Sequence, residues 1–262
     1  MFYKFIINLF VLILLTFIVV GCTSKRSDAD SKNFIVVGTA SGYAPFVSFN
    51  ENKEYEGFDI DVAKEISRRM GKKLVLKDLG GMTSLLLALK QGKVDLIIWA
   101  ISITPERTSE FDLVHYQGEE TRFLTMLFWE RIPPGISKIE DFNNLKGPAD
   151  PGKNVYVSVE PGSSNEAFLS RFDFIKTKPM EKISDAILDI RYGKSIAKMV
   201  DPAIVDNLRN LYPQIQVLKI PLTGDWRILG NGIGIRKGND ELRKAINEVV
   251  RGMKRDGFIR TL

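Results

Sequence analysis

The stretch VDLIIWAISITPER, residues 94–107, decides how this chain folds. Its first half is apolar except for one aspartate, which is typical of a strand buried inside a parallel sheet. The Thr-Pro pair at residues 104–105 then forms a helix-start signal, with threonine as the N-cap and proline at the first helical position. Arg107 follows one turn later, close to the hydroxyl of Ser102. An arginine near the carboxyl end of a buried strand, beside a hydroxyl and open backbone N–H groups, is well placed to bind a carboxylate.

Strand-like and helix-like segments alternate along most of the chain. This alternation predicts an α/β fold in which mainly parallel sheets carry helices on their faces. A segment rich in Pro, Gly and Asn at residues 133–151 interrupts the pattern and marks a boundary, after which the alternation restarts. Two similar α/β units are therefore expected, although no internal sequence repeat relates them. The predicted strands are 34–38, 73–78, 94–100, 121–129, 154–159, 174–177, 195–200, 217–221 and 228–236. The predicted helices are 58–70, 83–91, 161–171, 184–192, 202–211 and 240–253.

Residues 1–21 are typical of an export signal. Lys4 precedes an apolar run at residues 6–20 that is shorter than most membrane spans. The run closes on VVGC and resembles the bacterial lipoprotein signal, in which the cysteine is lipidated and becomes the new N-terminus. We therefore expect a lipid on Cys22 and a flexible polar tether over residues 22–32. The alternatives are an uncleaved anchor and a chance buried cysteine.

The composition argues against several classes of site. The chain has 262 residues, one cysteine and one histidine, so clustered zinc ligands are not available. His115 would have to serve alone as the base of a catalytic triad, and it is better explained as a structural residue. The net charge of +5 comes from dispersed Lys and Arg, which argues against nucleic acid as a partner. We expect no cofactor and no metal.

Arg107 and Asp201 each have a structural alternative. Most arginines near a helix start lie on the surface, where this one would pair with Glu106 or Glu110. Asp201 follows a buried strand and precedes a proline, so it could meet an ammonium group or simply cap the next helix. Position alone does not decide between these roles.

Two further segments carry groups suited to ligand binding. The sequence GSSN at residues 162–165 opens a helix with several free N–H groups, which makes it a second candidate for binding an anion. Most such sequences are only helix caps. The sequence YAPF at residues 43–46 could place an aromatic ring over a ligand, and the alternative is a packed loop.

Six sequence blocks occur together in an order that is specific to one protein family. They are VGT (37–39), YAPF (43–46), GFDID (57–61), LKQGKVD (89–95), SITPER (102–107) and GIGIRKG (232–238). With these blocks the chain resembles, over about residues 33–262, the extracytoplasmic solute-binding proteins of polar amino-acid ABC transporters. Segments 118–120 and 225–234 are most similar to arginine-binding members.

The resemblance implies a fold of two α/β lobes, each built on a mainly parallel sheet. The lobes are joined by two crossing strands, and the ligand lies in the cleft between them. Carried over to this chain, lobe one comprises residues 33–121 plus 228–262, and lobe two comprises residues 122–227. The strand predicted at 121–129 then becomes the first crossing.

The resemblance also implies how the backbone part of an amino acid is held. Arg107 would bind the ligand α-carboxylate through two parallel hydrogen bonds. Ser102 and, from lobe two, Ser164 would assist it. Asp201 would hold the α-ammonium group.

The same resemblance places other residues around the ligand side chain. Tyr43 would stack on it, and Asn165 would add a polar contact. Met82 occupies a position where a second stacking aromatic residue is common. Trp99 and Ala100 occupy positions that are usually small and often hydroxylated. A tryptophan there either fills part of the pocket or turns away into the core.

One departure concerns the charge that would meet a cationic side chain. Ala40 stands where several binders of basic amino acids have an acidic residue. Glu160, just before the turn of the second lobe, is a candidate replacement. The side-chain specificity is therefore less determined by the sequence than the two backbone contacts are.

These features predict a lipid-anchored, substrate-binding component of an ABC importer. It would bind a polar or basic amino acid, with arginine favoured, and deliver it to a membrane permease and its ATPase. We expect an exported monomer, tethered through its lipid to a membrane and facing the periplasm or the cell exterior. It would not be an enzyme.

Two alternatives remain open at this point. The first is an enzyme on the same fold, such as a dehydratase resembling cyclohexadienyl dehydratases, for which Glu160 is the nearest general acid. The second is a surface lipoprotein that kept the fold for a sensory or adhesive role.

Overall fold

A computed structural model describes residues 33–145, 155–222 and 226–261. The predicted signal, the lipidation site Cys22 and the tether lie outside the described residues. So do the end of the Pro- and Gly-rich segment and the three residues 223–225.

Strands and helices alternate as the sequence predicts, with shifts of a few residues at their ends. In chain order the strands are β1 (Phe34–Thr39), β2 (Ser48–Phe49), β3 (Tyr55–Glu56), β4 (Lys73–Asp78), β5 (Leu96–Ser102), β6 (Phe111–Thr121), β7 (Phe123–Trp129), β8 (Val155–Val159), β9 (Ile175–Pro179), β10 (Ala197–Val200), β11 (Ile215–Pro221) and β12 (Ile228–Arg236). The α-helices are α1 (Phe58–Arg69), α2 (Met82–Lys90), α3 (Pro105–Glu110), α4 (Ser164–Leu169), α5 (Ile183–Arg191), α6 (Val205–Leu211), α7 (Asp240–Arg255) and α8 (Phe258–Thr261). Two 3₁₀ helices span Ile139–Asn144 and Pro202–Ile204.

The two main sheets have the same topology. The first has the strand order β4-β1-β5-β12-β6, and the second, taken in the matching direction, has the order β9-β8-β10-β7-β11. In each sheet three neighbouring strands are parallel, the fourth is antiparallel, and the fifth pairs antiparallel with the fourth. Four strands of each sheet therefore point one way. This confirms the predicted α/β fold with two mainly parallel sheets, and we call each sheet with its helices a lobe.

The chain first passes from one sheet to the other at Arg122, and it returns between β11 and β12. The run predicted as a single strand at 121–129 is divided there, because Thr121 ends β6 in the first sheet and Phe123 begins β7 in the second. Strand β6 itself was not predicted. Its second half, QGEET at residues 117–121, is polar, and it is extended because it pairs with β12.

The region predicted as a boundary at residues 133–151 contributes to the second lobe's core. Its 3₁₀ helix places Ile139 and Phe142 three residues apart, and both side chains are buried. The ring of Phe142 packs on that of Phe128 in β7, with centroids 6.1 Å apart. A short helix with two apolar residues leaves no periodic signal in a polar segment, so the sequence pattern missed it.

Candidate functional site

One small cavity lies where the carboxyl ends of β5, β8 and β10 converge. Its volume is about 20 Å³, close to the space of a single water molecule. All nine residues predicted to contact a ligand line it, and Glu160 and Ser163 complete the wall. The nine are Tyr43, Met82, Trp99, Ala100, Ser102, Arg107, Ser164, Asn165 and Asp201.

Arg107 is buried at the wall of this cavity. Thr104 caps α3 by accepting a hydrogen bond from the Arg107 N–H at 3.3 Å, which is the helix start that the sequence predicts. The guanidinium donates to the Ser102 carbonyl oxygen at 3.1 Å and to the Gly162 carbonyl oxygen, in the second lobe, at 3.0 Å. Burial lowers the pKa of Arg107 to about 10, with Glu160 opposing, so the group stays cationic at neutral pH.

The surface alternative for Arg107 is therefore wrong. Its side chain is only 9% exposed, and its guanidinium binds backbone carbonyls rather than a neighbouring carboxylate. Glu110 instead pairs with Lys90 across a Nζ–Oε2 distance of 2.8 Å. A buried guanidinium facing two lobes has donors in a planar fork, the geometry that matches a carboxylate.

Two hydroxyl groups meet beside Arg107 from opposite lobes. The Ser164 hydroxyl donates to the Ser102 hydroxyl at 3.2 Å, and both side chains are buried. The neighbouring Ser163 caps α4 by accepting from the Glu166 N–H at 3.1 Å. In the GSSN segment, Ser163 is therefore a helix cap, which was the structural alternative for this segment. Ser164 instead faces the other lobe.

Asp201 caps a helix and also lies at the cavity, where it could meet an ammonium group. Its carboxylate accepts from the Ala203 N–H at 2.8 Å and caps the second 3₁₀ helix, so the capping alternative is confirmed. The same side chain also lines the cavity, and burial raises its pKa. A cap that uses one carboxylate oxygen leaves the other oxygen available to a second partner.

Trp99 lines the cavity and also belongs to a buried apolar cluster. It is 5% exposed, and its ring lies against that of Tyr43 with centroids 5.2 Å apart and planes inclined by 52°. The orientation follows from a bulge, since three residues of β5 between Ile97 and Ile101 lie opposite one residue of β12. Ala100 in this bulge has a left-handed φ of 44°. No sequence pattern indicates the bulge, because the segment reads as a regular apolar strand.

Buried polar atoms without a partner are concentrated at this cavity. Within the described ranges, six buried side-chain nitrogen or oxygen atoms have no hydrogen-bond partner. Three of them, Trp99 Nε1, Glu160 Oε1 and Asn165 Oδ1, belong to residues that line the cavity. Because unpaired buried polar groups are costly and rare, their clustering indicates a place prepared for polar contacts.

Glu160 is the second acidic residue that lines the cavity, besides Asp201. Burial raises its pKa to about 7, while Lys198 and a hydrogen bond from the Met82 N–H act in the opposite direction. Burial also lowers the pKa of Lys198 to about 8, and Glu160 opposes that shift. Lys198 stands in an otherwise apolar strand, β10, and was not among the residues predicted for the site. Ala40, the alternative position for an acid, lies in the core and is fully buried.

A larger cavity of about 510 Å³ adjoins the small one. The two share Tyr43, Trp99 and Glu160 in their walls. Glu181 also lines the larger cavity, together with residues of α5 and α6 in the second lobe. A side chain that passes the aromatic pair would therefore enter a space with two carboxylates and one ammonium group, that of Lys182, at its wall.

Two other kinds of site are not found in residues 33–145, 155–222 and 226–261. No group of three or more His, Cys, Asp and Glu side chains is placed to hold a metal ion. No helix within those ranges has the length and apolar character needed to cross a bilayer.

Comparison with known proteins identifies the family. The model of bacterial extracellular solute-binding proteins, family 3, matches residues 35–262. The probable ABC transporter arginine-binding protein ArtJ of Chlamydia trachomatis serovar D is 30% identical over 253 residues, covering 97% of this chain and 93% of that protein. The arginine-binding extracellular protein ArtP of Bacillus subtilis is 27% identical over 254 residues, covering 95% and 92%.

A solved structure agrees with these sequence relatives. Holo ArgBP from T. maritima superposes with a TM-score of 0.72 at 26% identity, covering 86% of this chain and 92% of its own. Both relatives are named as arginine-binding proteins, one of them of an ABC transporter, and the family match spans both lobes. This chain belongs to family 3 of the bacterial extracellular solute-binding proteins.

Proposed function

We propose that this protein is the lipid-anchored binding component of an ABC importer, and that it binds a polar or basic amino acid, arginine above others, for delivery to a membrane permease. One observation carries the proposal. Arg107 from the first lobe and Asp201 from the second line the same buried cavity, beside the paired hydroxyls of Ser102 and Ser164. A cation and an anion held apart in this way match the two charged ends of a zwitterion.

The chemistry of the two ends is complementary. Arg107 would exchange its two carbonyl contacts for parallel hydrogen bonds to the ligand α-carboxylate, which are stronger because both partners are charged. Asp201 would accept from the α-ammonium group with the carboxylate oxygen that does not cap the helix. Because these groups belong to different lobes, a ligand that contacts both favours the closed arrangement over an open one.

Arginine is favoured by the surroundings of the side chain. The aromatic pair of Tyr43 and Trp99 offers faces on which an alkyl chain or a guanidinium can pack. Beyond it, the unpartnered oxygen of Glu160 supplies an acceptor for a cation. The relatives named as arginine-binding proteins support the same preference.

The anchor and the monomeric state belong to the proposal as well. Cys22 at the end of the apolar leader is the expected lipidation site, and the polar tether would let the domain move beside its permease. Mass spectrometry of the protein from its native membrane would detect a diacylglyceryl group on Cys22. A Cys22→Ser chain found in the soluble fraction, with its ligand affinity intact, would support tethering as the only role of the lipid.

Thermal unfolding with each amino acid in turn tests the function. A ligand at about 100 times its dissociation constant stabilises the folded state by about 2.7 kcal/mol, which raises the melting temperature by several degrees. We expect the largest shift for arginine, followed by lysine, histidine and glutamine. No shift with any amino acid would overturn the proposed function.

A further inference from the structure

We propose that Asp59 is a positioning residue that holds Trp99 and Tyr43 in place to form the aromatic wall of the ligand cavity. This inference rests on the proposed function, since it explains how the binding surface is shaped. Asp59 itself does not line the cavity. It lies in the first turn of α1, is 1% exposed, and acts through the backbone of its neighbours.

The first contact of Asp59 stabilises the bulge of β5. Ala100 adopts a left-handed φ of 44°, a conformation that costs a non-glycine residue about 1 kcal/mol or more. Pairing of β5 with β1 ends at Ile97, and the bulge separates Ala100 from β12. The Ala100 N–H, which would otherwise be buried without a partner, donates to Asp59 Oδ2 at 2.7 Å.

A second donor uses the other oxygen of the same carboxylate. The hydroxyl of Tyr116, a fully buried residue of β6, donates to Asp59 Oδ1. Both oxygens of Asp59 therefore face donors. An asparagine could accept from the Ala100 N–H through its oxygen and donate its NH₂ group to the Tyr116 hydroxyl, whereas an alanine would lose both contacts. Burial raises the pKa of Asp59 to about 7, and the bonds from Tyr116 and Ala100 oppose that rise.

The same turn of α1 holds the Tyr43 loop. The Phe58 N–H donates to the Pro45 carbonyl oxygen and the Asp59 N–H donates to the Phe46 carbonyl oxygen, both at 3.1 Å. Gly57 approaches this loop with a φ of 120°, and a Cβ there would collide with the Phe46 carbonyl. One turn thus holds the loop through its backbone and the bulge through its side chain.

The loop and the bulge bring their aromatic rings together. Tyr43 comes from the loop and Trp99 from the bulge, and their rings lie 5.2 Å apart at the boundary of the two cavities. Ser102 follows the bulge by two residues. Releasing the Ala100 N–H from Asp59 would let the bulge relax, which moves Trp99 first and Ser102 with it.

An Asp59→Ala variant tests the inference, with Asp189→Ala as a matched control. Asp189 is also buried and is also bonded to two donors, the Ser195 hydroxyl and the Lys178 ammonium group, but it lies in α5 of the second lobe. Both variants should be less stable than the parent protein. The background carries Trp129→Phe and Trp226→Phe, which leaves Trp99 as the sole tryptophan.

The Trp99 emission without ligand separates positioning from general stability. We expect Asp59→Ala to shift that emission and to weaken arginine binding by about tenfold, whereas Asp189→Ala changes neither. Adding Ala100→Gly to Asp59→Ala should restore part of the affinity, because glycine adopts a positive φ without strain. If Asp59→Ala does not fold, the double variant Asp59→Ala/Ala100→Gly, which removes the strain at residue 100, should still show the shifted emission.

An emission spectrum and an affinity for Asp59→Ala that match those of Asp189→Ala would overturn the inference. Trp99 emission and affinity unchanged from the parent protein in Asp59→Ala/Ala100→Gly would do so if only that variant folds. A parent protein that binds no amino acid would instead overturn the proposed function, and the ligand-free emission of Trp99 would still decide the role of Asp59.

Discussion

The carboxyl ends of β5 and β10 occupy the same place in two sheets of identical strand order, yet they end in opposite charges. Each is followed by an N-cap residue and a proline, Thr104-Pro105 in the first lobe and Asp201-Pro202 in the second. In the second lobe the cap is itself the anion that lines the cavity. In the first lobe the cap is a neutral hydroxyl, and the cation arrives three residues later as Arg107.

The strands before these caps also differ. Strand β5 carries a bulge with a left-handed Ala100 and turns a tryptophan toward the cavity, whereas β10 pairs regularly with both neighbours. The shared topology explains why both ends reach one cleft. The different endings place opposite charges on the two sides of the cleft, so the proposed zwitterion would lie across it in only one direction. Predictions that alter one end at a time test this view.

The largest effect is expected from Arg107→Ala. Losing both charge-assisted hydrogen bonds to the ligand carboxylate should weaken arginine binding by about 100-fold or more, measured by calorimetry. Arg107→Lys keeps the charge without the planar fork, so its affinity for arginine should lie between those of wild type and Arg107→Ala. Arg227→Ala removes an exposed arginine that pairs with Glu120 and should leave the affinity unchanged. Near wild-type binding by Arg107→Ala would show that this end of β5 holds no carboxylate.

Asp201→Asn should have the next largest effect. Asparagine caps a helix as well as aspartate does, so the free energy of unfolding should change by less than about 0.5 kcal/mol. The lost charge should nevertheless weaken arginine binding by about 30-fold. If Asp201→Asn binds normally, the capping role of Asp201 is its only role and the comparison of the two strand ends fails.

Glu160→Gln should change selectivity more than it changes overall binding. A cationic side chain favours the ionised form of Glu160, whose pKa is raised to about 7, so binding releases a proton. Arginine affinity should therefore rise as the pH increases from about 6 to about 8 and level off above that. The charged groups that act on Glu160 are Lys198, Arg107 and Glu181.

Citrulline, the neutral isostere of arginine, provides the control ligand. Wild type should bind it about tenfold more weakly than arginine, with little dependence on pH, and Glu160→Gln should lose both the preference and the pH slope. Glu181→Gln, at the wall of the larger cavity, should keep both. A Glu160→Gln protein that still prefers arginine by the wild-type factor would exclude Glu160 as the acid that meets the side chain.

The smallest effect is expected at the paired serines. Ser102→Ala and Ser164→Ala should each weaken arginine binding by about three- to fivefold, because each removes one neutral hydrogen bond. The double variant should lose less than the product of the two, since the hydroxyls also bond to each other. Strictly multiplicative losses would indicate that the hydroxyls act separately in the bound state.

Much of the fold and of the cavity was predictable because it depends on local sequence patterns. The alternation of strands and helices and the Thr104-Pro105 cap follow from periodicity and capping signals, and the family resemblance supplied nine of the eleven residues that line the cavity. Burial around β5 and the convergence of parallel strand ends then bring those residues together.

Other features depend on contacts between distant segments, which the sequence does not display. The bulge at Ala100 is stabilised by Asp59, 41 positions earlier in the chain. Strand β6 is extended through its polar half because β12 lies beside it. Phe142 is buried because β7 supplies Phe128, not because its own segment is apolar. In each case tertiary pairing overrides the local pattern.

The contact between Arg107 and the ligand carboxylate is the central claim, and one double-mutant cycle tests it most directly. Calorimetry would compare L-arginine with agmatine, its decarboxylated analogue, on wild type and on Arg107→Ala. We expect wild type to prefer L-arginine by about 100-fold and the variant to bind both ligands within about threefold, because either change removes the same interaction. An Arg107→Ala protein that keeps the full preference for L-arginine would contradict the account.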